Sequence, residues 1–294
     1  MSISMAITRA LLRVTPTSTS SIKSLHRNIA RRKAPAPIPA SLRRYADVET
    51  TMVQGRTVIR ITPKSGATGV EVVYAHGGAY VYPLVAAHWS IIGRIARLSG
   101  ATVVVPLYDL APEGHAADAY SLLAEIYDGA LDRSDGHVVL AGDSAGGALS
   151  LGQAMHYRDA GTTAPEAVVL ISPWLDATMS NPALPELVRV DPMLARSGLV
   201  EAAQLWAGDL DPQDARLSPL FGDLHALPPV HIFQGDRDLF VADSRLLASR
   251  LTEAGGPVEY RETPGGFHVF LGAPWTPEAR RELAHIAAIV RSGA

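Results

Sequence analysis

The chain has 294 residues, a length that suggests one large α/β domain with an inserted lid. Its composition, 47% hydrophobic and 19% charged, is that of a globular protein rather than a disordered one. The absence of cysteine excludes disulfides, thiolate zinc sites and a cysteine nucleophile. A net charge of −3 gives no general attraction to nucleic acid, so we expect no nucleic-acid partner.

The N-terminal segment has a different charge balance from the rest of the chain. It holds nine Lys and Arg residues and no acid before Asp47, which leaves 17 basic against 29 acidic residues, or −12, for the remainder. An Arg- and Ser-rich segment without acids is typical of an organellar transit peptide. The interpretation we favour is two short amphipathic helices packed over a pocket, because apolar residues recur at helical spacing. These residues are Ile3, Ile7, Ala10, Leu11 and Val14 in the first helix and Ile22, Leu25 and Ile29 in the second.

After a stiff proline linker at residues 34–39, apolar β-rich runs alternate with helical patterns. This alternation predicts a mostly parallel central sheet with helices on both faces, the α/β class. The predicted strands are Thr57–Ile61, Val70–Tyr74, Thr102–Val105, Val138–Ala141, Ala167–Ile171, Val230–Phe233 and Val258–Arg261. The predicted helices are Trp89–Leu98, Ala116–Leu131, Ala148–His156, Ser244–Ala254 and Pro277–Val290.

Two stretches interrupt this pattern. The uncharged run Val72–Gly93 is long enough to raise the question of a membrane span, but glycines, a proline and two histidines break it, so we expect no stable membrane insertion. The proline-rich stretch Pro173–Leu227 has no clear strand and is interpreted as an insertion over one end of the sheet.

The strongest chemical signal is Gly142-Asp143-Ser144-Ala145-Gly146, placed between an apolar strand and a small-residue helix. A nucleophile elbow needs this arrangement, since its sharp strand-to-helix turn admits only small flanking residues. We predict that Ser144 is the catalytic nucleophile.

A second glycine-rich loop, His76-Gly77-Gly78-Ala79-Tyr80, follows the strand Val70–Tyr74. Small residues let backbone N–H groups turn toward a developing oxyanion. The predicted oxyanion hole comprises Gly77, Gly78, Ala79 and Ala145, with the N–H groups of the last three as donors. We expect His76 to hold the loop rather than to act as a base.

A serine nucleophile needs a base and an orienting carboxylate, which follow the serine in the order acid, then histidine, in this architecture. His268 lies in a loop framed by glycines and aromatic residues after the last strand, and its ordinary pKa suits proton transfer. For the acid we favour Asp238 over Asp236, with Asp243 third.

Together these motifs resemble the hormone-sensitive-lipase family of α/β-hydrolases, the bacterial type IV esterases. Four further motifs carry the same resemblance from about Gly69 to the C-terminus: Leu110-Ala111-Pro112-Glu113, Ser172-Pro173-Trp174-Leu175-Asp176, Asp191-Pro192-Met193 and Ser218-Pro219-Leu220. There are departures, since Ala79 stands where the family has a third glycine and Asp109 stands where it has an arginine.

The resemblance implies an α/β-hydrolase fold with a helical lid, which divides the chain into lid helices and linker at 1–45 and a main domain at 46–294, with a lid insertion at about 184–212. It also implies a carboxylesterase that cleaves short- to medium-chain acyl esters of small molecules without metal or cofactor, in lipid metabolism. It supports Asp238 as the acid. We expect a cytoplasmic protein and leave open whether it forms a homodimer.

Two alternatives share this fold. One is a hydrolase of another acyl bond, such as an amide, a lactone or an aryl formamide. The other is a non-catalytic receptor for a small ligand, which would be expected to lack one member of the triad. A third hypothesis is a protein held at a lipid surface by its basic N-terminus.

Candidates for the pocket wall are the aromatic residues Tyr80, Trp174, Trp206 and Phe267.

Overall fold

The computed structural model describes residues 1–15 and 19–292. A single eight-stranded sheet runs through the molecule in the order β1-β2-β4-β3-β5-β6-β7-β8. Within the described chain, only β2 runs in the opposite direction to the other seven strands, so the sheet is mostly parallel as predicted. The strands are β1 (Ala46–Val53), β2 (Arg56–Pro63), β3 (Glu71–Ala75), β4 (Thr102–Pro106), β5 (Val138–Asp143), β6 (Ala167–Ile171), β7 (Val230–Gly235) and β8 (Val258–Thr263).

Helices cover both faces of the sheet. They are α1 (Ile3–Val14), α2 (Ile22–Ala30), α3 (Ala86–Ser99), α4 (Ala116–Arg133), α5 (Ala145–Asp159), α6 (Leu184–Val190), α7 (Arg196–Ala207), α8 (Val241–Glu253) and α9 (Pro277–Ser292). Strands β3 to β6 are buried at every position, which explains their continuous apolar sequences. Two apolar clusters, one on each face of the sheet, form the core.

Strand β1 is absent from the sequence-based prediction. Most of its residues are exposed or half-buried, so its sequence shows no continuous apolar run. It pairs with β2 through a two-residue turn at Gln54 and Gly55, both with positive φ angles of 49° and 75°. Such a turn matches the twist of an antiparallel hairpin.

The N-terminal segment and the insertion after β6 pack against each other. The Thr19 hydroxyl accepts a hydrogen bond from the Ala195 N–H at 3.1 Å, and His26 contacts Glu201 at 2.6 Å. Thr19 also approaches Gly198 so closely that a Cβ there would lie 2.3 Å from the Thr19 carbonyl oxygen. These contacts place α2 beside α7 at the carboxyl end of the parallel strands.

In helix α1 the apolar residues that recur at helical spacing lie on the exposed side of the helix, not on the buried side. Ile3, Ile7, Leu11 and Val14 are exposed, whereas Met5 on the opposite side is fully buried. Helix α2 does pack inward, since Leu25 is fully buried and Ile29 contacts the core.

Candidate active site

The turn from β5 into α5 presents Ser144 at the first point beyond the sheet. Ser144 has φ 52° and ψ −120°, a conformation that non-glycine residues rarely adopt. The turn closes only because its neighbours are glycines. A Cβ on Gly142 would lie 2.3 Å from the Gly146 carbonyl oxygen, and one on Gly146 would lie 2.0 Å from that of Ala75.

Ser144, His268 and Asp238 form a buried hydrogen-bonded chain. His268 Nε2 lies 3.0 Å from Ser144 Oγ, and His268 Nδ1 lies 3.0 Å from Asp238 Oδ2. An ionised carboxylate can only accept, so Nδ1 carries the proton and Nε2 is free to accept from the serine hydroxyl. The other Asp238 oxygen accepts the Phe240 N–H at 3.0 Å, which fixes the carboxylate.

The two other candidate acids have different partners. Asp236 accepts the Gly265 N–H at 2.6 Å and thereby holds the loop that precedes His268. Asp243 accepts from the Asn181 amide at 2.6 Å. The structure therefore brings Asp238, and neither alternative, to the histidine.

The electrostatic surroundings of His268 favour its protonated form. Burial by itself lowers the pKa of the ring, but the charge and hydrogen bond of Asp238, with smaller contributions from Asp191 and Asp143, outweigh it. The net result is a pKa above the ordinary value of 6.5. A base of this kind can hold a proton that it takes from Ser144.

The glycine-rich loop after β3 lies against the elbow. The Gly77 N–H donates to Asp143 Oδ1 at 3.1 Å and is therefore not available to an oxyanion. Within the described chain, the N–H groups of Gly78, Ala79 and Ala145 make no hydrogen bond to protein. Gly78 has φ 122° and no room for a Cβ, which would lie 2.4 Å from the Tyr82 carbonyl oxygen. Ala79 adopts a positive φ of 51° despite its side chain.

Asp143 anchors this loop with a set of donors that the sequence analysis missed. Its carboxylate accepts from the Tyr74 hydroxyl at 2.6 Å and lies 3.2 Å from His88 Nε2, in addition to the Gly77 N–H. Burial alone would raise the pKa of Asp143, but these donors lower it below its ordinary value. The donor position of His88 is fixed because its Nδ1 accepts the Val85 N–H at 2.9 Å.

His76 holds the loop, as the sequence analysis expected. Its ring stacks on Tyr108 with centroids 4.6 Å apart, and Nδ1 lies 2.7 Å from the Gly77 carbonyl oxygen. Burial lowers the pKa of His76 to about 4, so the ring is neutral at neutral pH.

Asp191 is a half-buried carboxylate close to the chain of Ser144, His268 and Asp238. One oxygen accepts the N–H groups of Met193 and Leu194 at 2.6 and 2.8 Å, and the other accepts that of Leu239 at 2.7 Å. It thereby ties the insertion to the loop that carries Asp238. Burial and the nearby charge of Asp238 raise the pKa of Asp191 to about 6.

A cavity of about 690 Å³ opens over Ser144. Of the four predicted aromatic residues, only Phe267 lines it. Tyr80 lies behind the wall in a buried aromatic stack, with its ring 4.5 Å from Trp206 and 5.6 Å from Trp174 between centroids. The N-terminal segment and neighbouring loops also contribute to the wall, through residues that were not among the predicted ones: Thr8, Leu12, Asn28, Arg31, Lys33, Tyr82, Met193 and Trp275.

Comparison with known proteins agrees with this architecture. A family model described as alpha/beta hydrolase fold matches residues 72–272. A crystal structure of an esterase from the bacterial hormone-sensitive lipase family superposes with a TM-score of 0.85 at 26% identity, covering 100% of this chain and 99% of the other. This protein belongs to the hormone-sensitive-lipase family of α/β-hydrolases.

Two relatives of this hydrolase share about a third of its residues over most of the chain. LipR of Mycobacterium tuberculosis is 34% identical over 81% of this chain and 78% of its own length. An acetyl-hydrolase of Streptomyces hygroscopicus is 32% identical over 76% of each chain. The predicted family, fold and enzyme class, a serine hydrolase of the esterase type, are therefore confirmed.

Proposed function

We propose that this hydrolase is a carboxylesterase that cleaves short- to medium-chain acyl esters through an acyl-enzyme on Ser144. The observation that carries the proposal is the aligned chain of Ser144, His268 and Asp238, with 3.0 Å at each link, facing the cavity. The names of its relatives, acetyl-hydrolase among them, support ester substrates.

In the first half-reaction, Ser144 Oγ attacks the ester carbonyl carbon while His268 Nε2 takes the hydroxyl proton. Asp238 stabilises the imidazolium, and the N–H groups of Gly78, Ala79 and Ala145 bind the carbonyl oxygen as it becomes negative. When the tetrahedral intermediate collapses, the carbon–oxygen bond to the alcohol breaks and His268 gives the proton to the leaving alkoxide. Loss of one such oxyanion donor typically costs about 3 kcal/mol of transition-state stabilisation.

In the second half-reaction, water takes the place of the alcohol. His268 removes a proton from water as its oxygen attacks the acyl carbon, and the same N–H groups bind the oxyanion again. Collapse releases the carboxylic acid and returns the proton to Ser144 Oγ. The residues of this chain therefore supply every proton transfer in the cycle.

A burst experiment with p-nitrophenyl esters of increasing acyl length tests the proposal. We expect a rapid release of p-nitrophenol equivalent to the enzyme, strongest for short chains, and a loss of about 10⁶-fold in turnover for Ser144→Ala. Equal turnover by the wild type and Ser144→Ala would contradict the mechanism. No burst for any ester, together with no labelling of Ser144 by a fluorophosphonate, would favour the receptor alternative.

A further inference from the structure

The outer face of α1 is apolar and uncovered. Ile3 and Val14 are each 80% exposed, Leu11 is 62% exposed and Ile7 is 56% exposed. They lie side by side on one face of a helix, since their positions follow the helical repeat. Single exposed apolar residues are ordinary on a protein surface, but a continuous row of large ones marks an interaction surface.

Exposed cations lie on the same N-terminal segment as this helix. Arg13, Lys23, Arg27, Arg31 and Lys33 are exposed, and in the described part of the chain none of them has a carboxylate partner. The acids that contact this segment already have partners: Glu201 contacts His26, Glu113 pairs with Arg32, and Glu278 accepts from Ser2. No acid occurs in the chain before Asp47, so the segment presents positive charge only.

Helix α1 and two of these cations lie at the cavity over Ser144. Thr8 and Leu12 of α1 line the cavity, as do Arg31, Lys33 and Trp275. The Trp275 ring is 59% exposed, and its indole N–H donates to the Thr8 hydroxyl at 2.9 Å. Helix α1, an exposed tryptophan and exposed cations therefore border the same cavity.

We propose that this entrance surface, formed by Ile3, Ile7, Leu11, Val14, Trp275, Arg13, Arg31 and Lys33, docks on an anionic phospholipid bilayer. Helix α1 lies in the plane of the interface with its apolar side among the acyl chains, while the cations contact the anionic headgroups. None of the helices among residues 1–15 and 19–292 could span a bilayer.

Charge favours a lipid surface over a second copy of this chain. A symmetric dimer formed through the entrance surface would bring the same cations face to face, because a two-fold interface places each patch against itself. An anionic bilayer instead supplies headgroup charges to every cation at once. Docking there would turn the cavity opening toward the bilayer.

The proposal goes beyond esterase activity and does not depend on it. We expect the full-length protein to float with vesicles of phosphatidylcholine and phosphatidylglycerol, and not with phosphatidylcholine alone. High salt should weaken this binding, since it screens the headgroup charge. Ser144→Ala should bind to the same extent as the wild type, which separates docking from catalysis.

Two pairs of substitutions test the two components of the surface. Ile7→Gln with Leu11→Gln removes exposed apolar side chains and keeps a helix-forming sequence, and should lower vesicle binding by at least about tenfold. Arg31→Gln with Lys33→Gln should lower it by about fivefold for each cation removed. Met52→Gln with Leu246→Gln, which alters exposed apolar residues on β1 and α8, should leave binding unchanged. Unchanged circular dichroism will show that the α1 variant is folded.

Tryptophan fluorescence gives an independent readout. Trp89, Trp174 and Trp206 are buried, so Trp275 is the solvent-exposed tryptophan. Anionic vesicles should shift its emission to the blue, and Trp275→Phe should abolish the shift. Three outcomes would overturn the proposal: no flotation with anionic vesicles, flotation insensitive to the α1 variant, or a wild-type dimer that this variant converts to monomer.

Discussion

At the scale of single residues, the proposed mechanism depends on the protonation state of His268. The ring must be neutral to accept the Ser144 proton, and its pKa lies above 6.5. As the pH falls through this pKa, His268 becomes protonated and the activity is lost. We expect kcat/KM to show an acid limb with a midpoint above pH 6.5.

Replacing Asp238 tests the cause of that elevated pKa. Asp238→Asn removes the charge that stabilises the imidazolium and should lower turnover by about 10⁴-fold, while the acid limb moves to lower pH. Asp236→Asn is the matched control, because Asp236 contacts the Gly265 N–H and not His268. An equal loss in both variants would refute the assignment of Asp238.

Asp191 should act on the same histidine from a distance. Its pKa of about 6 means that it is ionised at neutral pH, where its charge raises the pKa of His268. Asp191→Asn should therefore move the acid limb to lower pH, with a smaller loss of turnover than Asp238→Asn. Asp209→Asn, which alters an exposed acid of the same insertion, should leave the pH profile unchanged. A profile that Asp191→Asn does not shift would contradict this role.

At the scale of elements, the turn between β5 and α5 is the position where the backbone leaves least room for a larger residue. Gly146→Ala places a methyl group 2.0 Å from the Ala75 carbonyl oxygen, so β3 and α5 must separate. We expect a loss of about 1–3 kcal/mol in the free energy of unfolding, together with a large loss of turnover. Gly256→Ala, where the nearest contact is an ordinary 3.4 Å, is the control for urea unfolding. Equal stability of the two variants would be inconsistent with the crowded elbow.

The predictability of each element follows from its burial. Strands β3 to β6 are covered on both faces, and their apolar runs predict them correctly. Strand β1 is largely exposed and escapes such a pattern, although the Gln54-Gly55 turn could have signalled its hairpin. For α1 the spacing predicts a helix but not which side is covered, because Met5 and Leu12 lie on the buried side.

The residues of the site also differ in whether the sequence predicts them. Ser144, His268 and the glycine loops carry local sequence patterns, and they can be predicted from them. His88, Trp275 and Arg31 reach the site from elements distant in sequence, and no local motif marks them. Tyr80 and Trp206 show the converse, since aromatic character does not distinguish a cavity wall from the packing behind it.

At the scale of the whole molecule, the N-terminal segment is held on the insertion at Thr19 and Gly198. Gly198→Ala places a methyl group 2.3 Å from the Thr19 carbonyl oxygen, which should push the segment off α7. We expect faster proteolysis within residues 1–33 and a higher KM, with kcat less affected because the buried catalytic chain is untouched. Ser197→Ala, an exposed neighbour on α7, is the control. Unchanged proteolysis and KM would show that this contact is dispensable.

Arg32 connects the same segment to the end of the glycine-rich loop after β3. Its guanidinium donates to the carbonyl oxygens of Val81 and Ala111 at 3.2 and 2.9 Å and pairs with Glu113. Residues of α1 and α2 line the cavity, so ligand binding in the cavity and packing of these two helices on the rest of the protein are linked equilibria. We expect a ligand that fills the cavity to favour this packed state by mass action and so to slow amide exchange in α1 and α2.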